Sequence, residues 1–333
     1  MRTSIAIMIL WAIFSLRGMA NPIDGIVDVK HQLYTYEKLL SDIDSLQKCY
    51  PECIDYELRD TTCQGCQLVV AYFGNRDAQN HIMVQASMHA REYMSAQLVM
   101  AILEYYATRY KDGKIDGIDY CQLFNEVCFV IIPMVNPDGV TISQFGEEGA
   151  VTDDVKEWIR CQTIDGKDYK QMKSNARGID LNRNFSNGFG EGSVVRSSKS
   201  YDFYHGVTPY SENETKLMLK VSQQYDYSCF LNYHTSGNVI YYGCRNAKHN
   251  VNSKALQIAQ IIKRRNNYIL LGPKYQKTGG SWGDEVEVLY QRPSVTIEIG
   301  TKNPVPISEF NKIYNKNVMV WADLASAVLK GQI

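Results

Sequence analysis

Five short runs of apolar and often β-branched residues limit the fold of this chain more than any other feature. Each run has six to eight residues, which suits a strand buried on both faces of a sheet. Amphipathic stretches lie between the runs; in residues 36–49 the leucines and the isoleucine fall on one helical face behind Thr35, the expected N-cap. Strands that alternate with helices predict a three-layer α/β/α sandwich around a mixed, largely parallel sheet. The runs are QLVVAYF (67–73), HIMVQA (81–86), VCFVIIPM (127–134), SCFLNYH (228–234) and SVTIEI (294–299).

Other local patterns predict further elements. Residues 96–110 have the periodicity of a helix, and NPDG at 136–139 is typical of a turn. Ser211 and Glu214 match a capping box, which predicts a helix running to about residue 226. A last long helix is expected over about residues 307–330.

The N-terminus, MRTSIAIMILWAIFSLRGMANP, has the pattern of an export signal. Arg2 supplies a positive charge, residues 4–16 carry none, and small residues precede a cleavage point after Ala20. The apolar run is shorter than the roughly 20 residues that a bilayer span requires. We therefore expect a signal peptide over 1–20, one domain over 21–333, and secretion or export; anchorage to a membrane by the uncleaved segment is the alternative.

Charge and cysteine content narrow the class of partner. The 35 basic and 36 acidic residues give a net charge of −1 without a basic stripe, so we expect no nucleic-acid partner and no membrane contact beyond the N-terminal segment. Nine cysteines leave at least one unpaired even in an exported chain. Cys63 and Cys66 form a C-x-x-C without a second pair at zinc-finger spacing, so we expect no cysteine metal site.

Two histidines and a glutamate stand where predicted strands end. His89 and Glu92, with Arg91 between them, follow the run HIMVQA, and His234 closes SCFLNYH. Because functional groups gather at strand ends in such sheets, these side chains are expected to meet. Two imidazoles and one carboxylate are a usual ligand set of catalytic zinc, so the sequence predicts one zinc ion per chain.

Six motifs in order make the chain resemble the zinc carboxypeptidase family, which includes carboxypeptidases A and B and bacterial members. The resemblance spans roughly residues 33–330. It implies the fold predicted above and an exopeptidase that hydrolyses the C-terminal bond of a peptide through a zinc-bound water and a glutamate base. The motifs are HARE (89–92), NPDG (136–139), GIDLNRNF (178–185), NYHTSG (232–237), YQKTGGS (275–281) and TIEIG (296–300).

The resemblance also assigns roles to single residues. His89, Glu92 and His234 would hold zinc, and Asp180 would orient a zinc histidine through its other nitrogen. Glu298 would be the general base, because burial in an apolar run raises a carboxyl pKa. A turn aspartate and a solvent-facing edge glutamate are the simpler readings of Asp180 and Glu298.

Substrate contacts are implied in the same way. Asn182 and Arg183 would bind the terminal carboxylate of the peptide, since a guanidinium matches a carboxylate in bidentate fashion. Arg91 would be a further cation beside the metal, and Tyr275 would close over the substrate. Lys173 would stabilise the oxyanion in place of the arginine of many family members, with Arg160 as the other candidate.

The sequence leaves substrate choice open. The text KSNARGIDLNRNF is in the style of bacterial relatives, some of which cut the γ-D-glutamyl to diamino-acid bond of cell-wall peptides. A zinc-binding relative without activity is a third possibility, which the presence of Glu298 disfavours. Trp282 facing the pocket would favour an aromatic or aliphatic residue at the cleaved position, whereas Asp284 there would favour a cationic one.

Overall fold

A mixed sheet runs through the middle of the computed structural model, which describes residues 25–164, 166–275 and 279–333. Its strands are β1 (Ile54–Thr61), β2 (Gln67–Phe73), β3 (Asn80–Ala86), β6 (Val127–Ile132), β7 (Tyr227–Thr235), β8 (Val239–Tyr242), β9 (Ile269–Leu271) and β10 (Ser294–Ile299). Strands β4 (Lys114–Ile115) and β5 (Ile118–Asp119) form a separate ribbon. The order across the sheet is β1-β2-β6-β3-β7-β10-β8-β9. The four central strands β6, β3, β7 and β10 are mutually parallel.

Helices cover both faces of this sheet. Alternate residues of β2 point to opposite sides: Val69 and Ala71 join one apolar cluster, whereas Leu68 and Val70 join another. The predicted three-layer α/β/α sandwich is therefore confirmed. The helices are α1 (Tyr36–Cys49), α2 (Tyr93–Thr108), α3 (Tyr120–Glu126), α4 (Pro137–Phe145), α5 (Asp153–Ile164), α6 (Asn213–Ser222), α7 (His249–Asn266), α8 (Trp282–Leu289), α9 (Phe310–Asn317) and α10 (Val320–Leu329).

Three local predictions were wrong, each for a visible reason. NPDG begins a helix rather than a free turn: Asn136 Oδ1 accepts a hydrogen bond from the Gly139 amide at 2.9 Å, and Pro137 takes the first helical position. The capping box does not form: the Ser211 hydroxyl donates to Glu212, and Glu212 occupies the N-cap position of α6 without a capping hydrogen bond from its side chain.

The predicted last helix is split into α9 and α10. The Tyr106 hydroxyl donates to the carbonyl oxygen of Val318 at 2.6 Å and accepts from the amide of Ala322 at 3.0 Å. These are the two groups that would bond to each other in an unbroken helix. A tertiary contact from α2 therefore replaces a local one, and no pattern in residues 307–330 reports it.

The prediction of a signal segment over residues 1–20 is untested, because this segment lies outside the described residues. Within residues 25–164, 166–275 and 279–333, no helix has both the length and the apolar character needed to cross a membrane. At the N-cap of α1, Thr35 accepts from the Lys38 amide at 3.2 Å, as predicted.

The parallel strands fix where a site can form. Their carboxyl ends share one edge of the sheet, and loops leaving that edge converge. In the pairing of β7 with β10, Glu298 lies opposite His234. In the pairing of β3 with β7, Gln85 lies opposite Asn232.

Candidate active site

A tight turn at the end of β3 presents the HARE motif. Ser87 has a φ of +49°, a conformation that side chains other than glycine seldom adopt. Neighbouring groups hold it there: its amide donates to Ser95 Oγ at 2.9 Å, and its hydroxyl donates to the Glu92 carbonyl at 3.1 Å. The chain then enters a 3-10 turn over Ala90–Glu92 and continues into α2. This turn brings the side chains of His89 and Glu92 to the carboxyl edge of the sheet.

His89, Glu92 and His234 meet in one buried cluster. His89 Nδ1 lies 2.8 Å from Glu92 Oε1, and His234 Nδ1 lies 2.9 Å from Glu92 Oε2. The two Nδ1 atoms are 3.3 Å apart, and the exposed fractions of the three residues are 5%, 1% and 3%. The structure thus brings together all three residues predicted to hold the metal.

The chemistry of this cluster fits a metal ion. Two imidazole nitrogens and a carboxylate oxygen, all within 4.8 Å of one another, offer lone pairs to one point, which is the donor set of a catalytic zinc. Burial acts to raise the pKa of Glu92, but the two imidazoles outweigh it and hold that pKa well below its ordinary value. The carboxylate is therefore ionised, as a ligand must be.

Two further polar side chains lie beside the histidines. Asp180 Oδ1 lies 3.3 Å from His89 Nε2, while its two oxygens also accept from the amides of Asn182 at 3.1 Å and Phe203 at 3.2 Å. Gln85 Nε2 lies 3.2 Å from His234 Nε2. Asp180 was predicted from the resemblance, whereas Gln85 was not. Each imidazole thus has its Nδ1 at the cluster and its Nε2 within about 3.3 Å of a polar side chain, which is Asp180 for His89 and Gln85 for His234.

Glu298 stands beside the cluster. It occupies the row of β10 that pairs with His234 and lines the same pocket. Burial, and then the negative charge of Glu92, raise the pKa of Glu298, although His89 and Lys173 act in the opposite direction. A carboxyl group with a raised pKa is a stronger base once ionised, and such perturbed groups are typical of catalytic sites.

Lys173 also lines this pocket, and its backbone is held on both sides. Its carbonyl accepts from the Ala90 amide at 3.1 Å, and its amide donates to the Tyr201 carbonyl at 2.7 Å. Its Nζ lies 5.1 Å from the centre of the Phe203 ring. These contacts attach the predicted oxyanion cation directly to the HARE turn.

Asn182 and Arg183 line the pocket from the GIDLNRNF segment. Arg183 Nη1 donates to the Asn182 carbonyl at 2.5 Å, and Asn182 Oδ1 accepts from the Trp282 amide at 2.9 Å. The glycine pair of YQKTGGS packs against this segment. A β-carbon at Gly280 would lie 2.3 Å from the Arg183 carbonyl oxygen, so only glycine fits there.

Tyr275 and Trp282 complete the lining of the pocket. Tyr275 is 50% exposed at the rim, and residues 276–278 of its motif lie outside the described residues. Trp282 is buried against Phe185 and Phe230 and lines the pocket, whereas Asp284 faces a neighbouring cavity. Of the two residues left open by the sequence, Trp282 therefore lines this pocket and Asp284 lines the neighbouring one.

Two predicted cations are not among the described residues that line the pocket. The prediction of Arg160 as the other candidate for the oxyanion-stabilising cation was wrong. Arg160 is on the exposed face of α5 and pairs with Glu147 at 2.8 Å and Glu157 at 2.6 Å. Arg91 is not among the described residues that line the pocket, and its Nη1 donates to Gln171. Its role toward substrate stays a prediction.

Sequence reasoning missed a row of polar residues on the pocket floor. Gln85, Asn232, Thr296 and Tyr241 stand on neighbouring strands and all line the pocket, whose volume is about 220 Å³. A signal was available, since Asn232 and Thr296 each precede a predicted functional residue by two positions inside an apolar run. Residues two apart on a strand share a face, so these side chains had to point toward the site.

Known proteins resemble this chain in sequence and in fold. A family model described as zinc carboxypeptidase matches residues 39–304. Over 288 residues the chain is 26% identical to gamma-D-glutamyl-L-diamino acid endopeptidase 1 of Lysinibacillus sphaericus, covering 86% of this chain and 70% of that protein. Over 273 residues it is 24% identical to carboxypeptidase A2 of Rattus norvegicus, covering 77% and 60%. The chain therefore spans 60% to 70% of the length of these two relatives.

Solved structures share the fold at low identity. Thrombin activatable fibrinolysis inhibitor superimposes with a TM-score of 0.73 at 19% identity, covering 92% of this chain and 78% of that one. Murein-tripeptide amidase MpaA from Escherichia coli O157 superimposes with a TM-score of 0.52 at 18% identity, covering 84% and 94%. At these identities the likeness shows the fold alone.

Proposed function

The chain belongs to the zinc carboxypeptidase family of metallopeptidases, and we propose that it removes the C-terminal amino acid from peptides. The observation that carries this proposal is the convergence of three kinds of group on one pocket. Two histidines of the metal-ligand cluster, the carboxyl group of Glu298 with its raised pKa, and Arg183 all belong to residues that line the same pocket. Hydrolysis beside a free carboxylate needs these three together.

The residues of this chain have the following roles in the proposed reaction. His89, Glu92 and His234 would hold zinc, which when bound lowers the pKa of a water and polarises a carbonyl. Arg183 and Asn182 bind the terminal carboxylate of the peptide and so place its last bond beside Glu298. Glu298 accepts a proton from the attacking water and passes it to the leaving nitrogen as the carbon–nitrogen bond breaks.

Three further residues support the same reaction. The Lys173 ammonium stabilises the negative charge that develops on the carbonyl oxygen. It acts as a single point charge, without the paired N–H donors of an arginine. Tyr275, exposed at the rim, closes over the bound peptide and excludes water. Asp180 keeps His89 in the orientation that offers Nδ1 to the metal.

A peptide panel tests this function. The protein should hydrolyse peptides with a free C-terminus, lose activity with a chelator and regain it with zinc. Peptides of the same sequence with an amidated C-terminus should be cleaved far more slowly, because they lack the charge that Arg183 binds. Equal cleavage of free and amidated peptides would contradict the exopeptidase proposal.

A second function is favoured by two observations. The relative from Lysinibacillus sphaericus carries the name of a γ-D-glutamyl-L-diamino acid endopeptidase, and the pocket floor of this chain is polar. In that case the cleaved bond is the γ-amide of a glutamyl residue, with the same metal ligands and the same base. Adding a γ-D-glutamyl diamino-acid peptide to the panel separates the two functions.

A further inference from the structure

A second group of potential metal ligands lies outside the active-site pocket. Cys244 follows β8, and Asp284 and Glu287 stand three positions apart on α8, so the two carboxylates share one side of that helix. The sulfur of Cys244 and one oxygen from each carboxylate lie within 4.8 Å of one another. The exposed fractions of the three residues are 3%, 7% and 1%. A thiol and two carboxyl groups are thus gathered at one buried point.

The backbone around these side chains is held by specific contacts. Asn252 of α7 fixes Cys244 on both sides: its Oδ1 accepts from the Cys244 amide at 3.0 Å, and its Nδ2 donates to the Cys244 carbonyl at 3.0 Å. Asp284 lies in the first turn of α8, where its amide donates at 3.3 Å to Oγ of Ser281, the N-cap. Ligands held in this way need little rearrangement to bind an ion.

One oxygen of this group is buried without a hydrogen-bond partner. Asp284 Oδ1 has none among the described residues, and Asp284 lines the cavity of about 490 Å³ that Cys244 also lines. Buried polar atoms without partners are costly and rare in folded proteins. Asp284 therefore indicates a ligand that the neighbouring side chains do not supply.

The negative charge of the group is not balanced by an ion pair. The described ion pairs include neither Asp284 nor Glu287, and Arg245, which lines the cavity, donates to a backbone carbonyl at 3.2 Å. Burial raises the pKa of Asp284 to about 6, against the opposite effect of Arg183, and raises the pKa of Glu287 to about 8. A divalent cation among the three groups would balance their charge.

The donor set indicates which metal would fit. Zinc binds cysteine sulfur together with carboxylate oxygen, whereas calcium and magnesium take oxygen ligands. Backbone amides of Asn246 and Ala247 favour the thiolate form of Cys244 that zinc binding requires, although burial raises the pKa of this thiol to about 12. Three protein ligands leave the fourth position of a tetrahedral site for a water molecule from the cavity.

We propose that Cys244, Asp284 and Glu287 form a second zinc site, which ties the loop after β8 to α8. Glu287 Oε1 also accepts from the amide of Ser294, the first residue of β10, at 3.2 Å, and α8 carries Trp282 of the active-site pocket. The ion would therefore stabilise this side of the sheet without acting on a substrate. The expectation of no cysteine metal site rested on the spacing of cysteines, whereas here the thiol meets carboxylates from a later segment.

This site should bind zinc more weakly than the cluster of His89, Glu92 and His234. Zinc must displace protons from a buried thiol and two carboxyl groups with raised pKa values, whereas the pKa of Glu92 is held low and its carboxylate is already ionised. After dialysis against metal-free buffer we therefore expect about one zinc per chain, held by that cluster, and in excess zinc about two.

Cobalt(II) tests for the sulfur ligand directly. Cobalt binds the same kinds of ligand as zinc, and a cobalt–thiolate bond gives a strong charge-transfer absorption that imidazole and carboxylate ligands do not give. Cobalt should be added to the purified, reduced protein whose histidine cluster already holds zinc. The absorption should appear and saturate at about one cobalt per chain. Its absence would overturn the inference.

Two cysteine variants locate that bond. Cys244→Ser should abolish the cobalt–thiolate absorption. Cys229→Ser is the matched control, since Cys229 is also a buried free cysteine but lies on β7 and belongs to neither group of potential metal ligands in the described residues. The control should keep the absorption. Retention of the absorption in Cys244→Ser, or equal loss in both variants, would overturn the inference.

Asp284→Asn tests the carboxylates in a variant that is expected to fold, because asparagine keeps the shape of the side chain. The Kd of the second zinc, measured by calorimetry, should rise by about tenfold or more. Glu191→Gln is the control, since Glu191 lines the same cavity but is not one of the three ligands. An unchanged Kd in Asp284→Asn, or an equal rise in both variants, would overturn the inference.

Thermal unfolding tests the stabilising role. Because a ligand that binds only the folded state stabilises it, excess zinc should raise the Tm of the zinc-loaded parent and leave that of Cys244→Ser unchanged. An equal rise in both proteins would overturn the inference. None of these measurements uses peptide hydrolysis, so failure of the second zinc site and failure of the proposed function are distinguishable.

Discussion

Replacing Glu298 with glutamine is expected to weaken catalysis and at the same time stabilise the metal-free fold. Glutamine keeps the shape of the side chain but cannot take a proton from water. Since general-base help is worth about 10²–10⁴-fold, kcat should fall by at least about a hundredfold while zinc content stays the same. The stability effect has the opposite sign and comes from the position of Glu298 in the pocket.

The size of that effect follows from proton linkage. Burial, and then the charge of Glu92, raise the pKa of Glu298 from 4.5 to about 8. Between these two values the folded protein binds more protons at this group than the unfolded chain does, so stability falls as pH rises from 4.5 toward 8. At about 1.4 kcal/mol per pH unit, the cost at pH 7 has an upper limit of about 3 kcal/mol. The side chain is partly exposed to the pocket, which reduces the expected cost to about 1–2 kcal/mol.

Urea unfolding of chelator-treated protein measures this difference. The variant should show a higher midpoint than the parent at pH 7.5 and a nearly equal one at pH 4.5, with the same slope against urea. Glu126→Gln is a suitable control, since Glu126 is exposed at the end of α3 and should change neither midpoint nor kcat. A kcat within a few-fold of the parent would refute the base assignment. Equal midpoints at pH 7.5 would refute the argument from burial.

Three further variants probe the rest of the site. His234→Ala should reduce zinc from about one ion per chain to near zero by metal analysis, because it removes one of three ligands; full occupancy would exclude His234 from the ligand set. Arg183→Ala should raise KM for peptides with a free C-terminus by at least about tenfold without loss of zinc, and an unchanged KM would place the carboxylate elsewhere. Asp180→Asn should lower zinc affinity by about 10–100-fold in competition with a chromogenic chelator. Unchanged affinity would show that His89 needs no orienting carboxylate.

The parts of the fold that sequence could predict were those carried by local patterns. The central strands are apolar on both faces, so each stands out as a continuous run. β1 does not, because it lies at the edge of the sheet and most of its residues are partly or fully exposed. The break between α9 and α10 comes from Tyr106, about two hundred residues earlier in the chain, and no local pattern could report it.

The residues of the site also fall into those that local sequence patterns could predict and those that they could not. His89, Glu92 and His234 were predictable because each stands at the end of a recognisable strand. The polar floor was not, because it depends on which residue of one strand lies beside which residue of the next. Gln85, Asn232 and Thr296 become neighbours only through the register of three strands. Register is a property of the assembled sheet, whereas motifs are properties of the chain.

The position of β10 has a consequence for the order in which this protein becomes active. β7 and β8 are joined by only three residues, 236–238, yet they are not neighbours in the sheet, because β10 lies between them. The last strand of the sheet in sequence therefore fills the place between two strands made earlier, and its pairing with β7 is non-local. A chain still being synthesised carries all three metal ligands before it carries Glu298. The proposed base lies on the strand that completes the sheet, so we expect a chain that ends before β10 to lack the proposed activity.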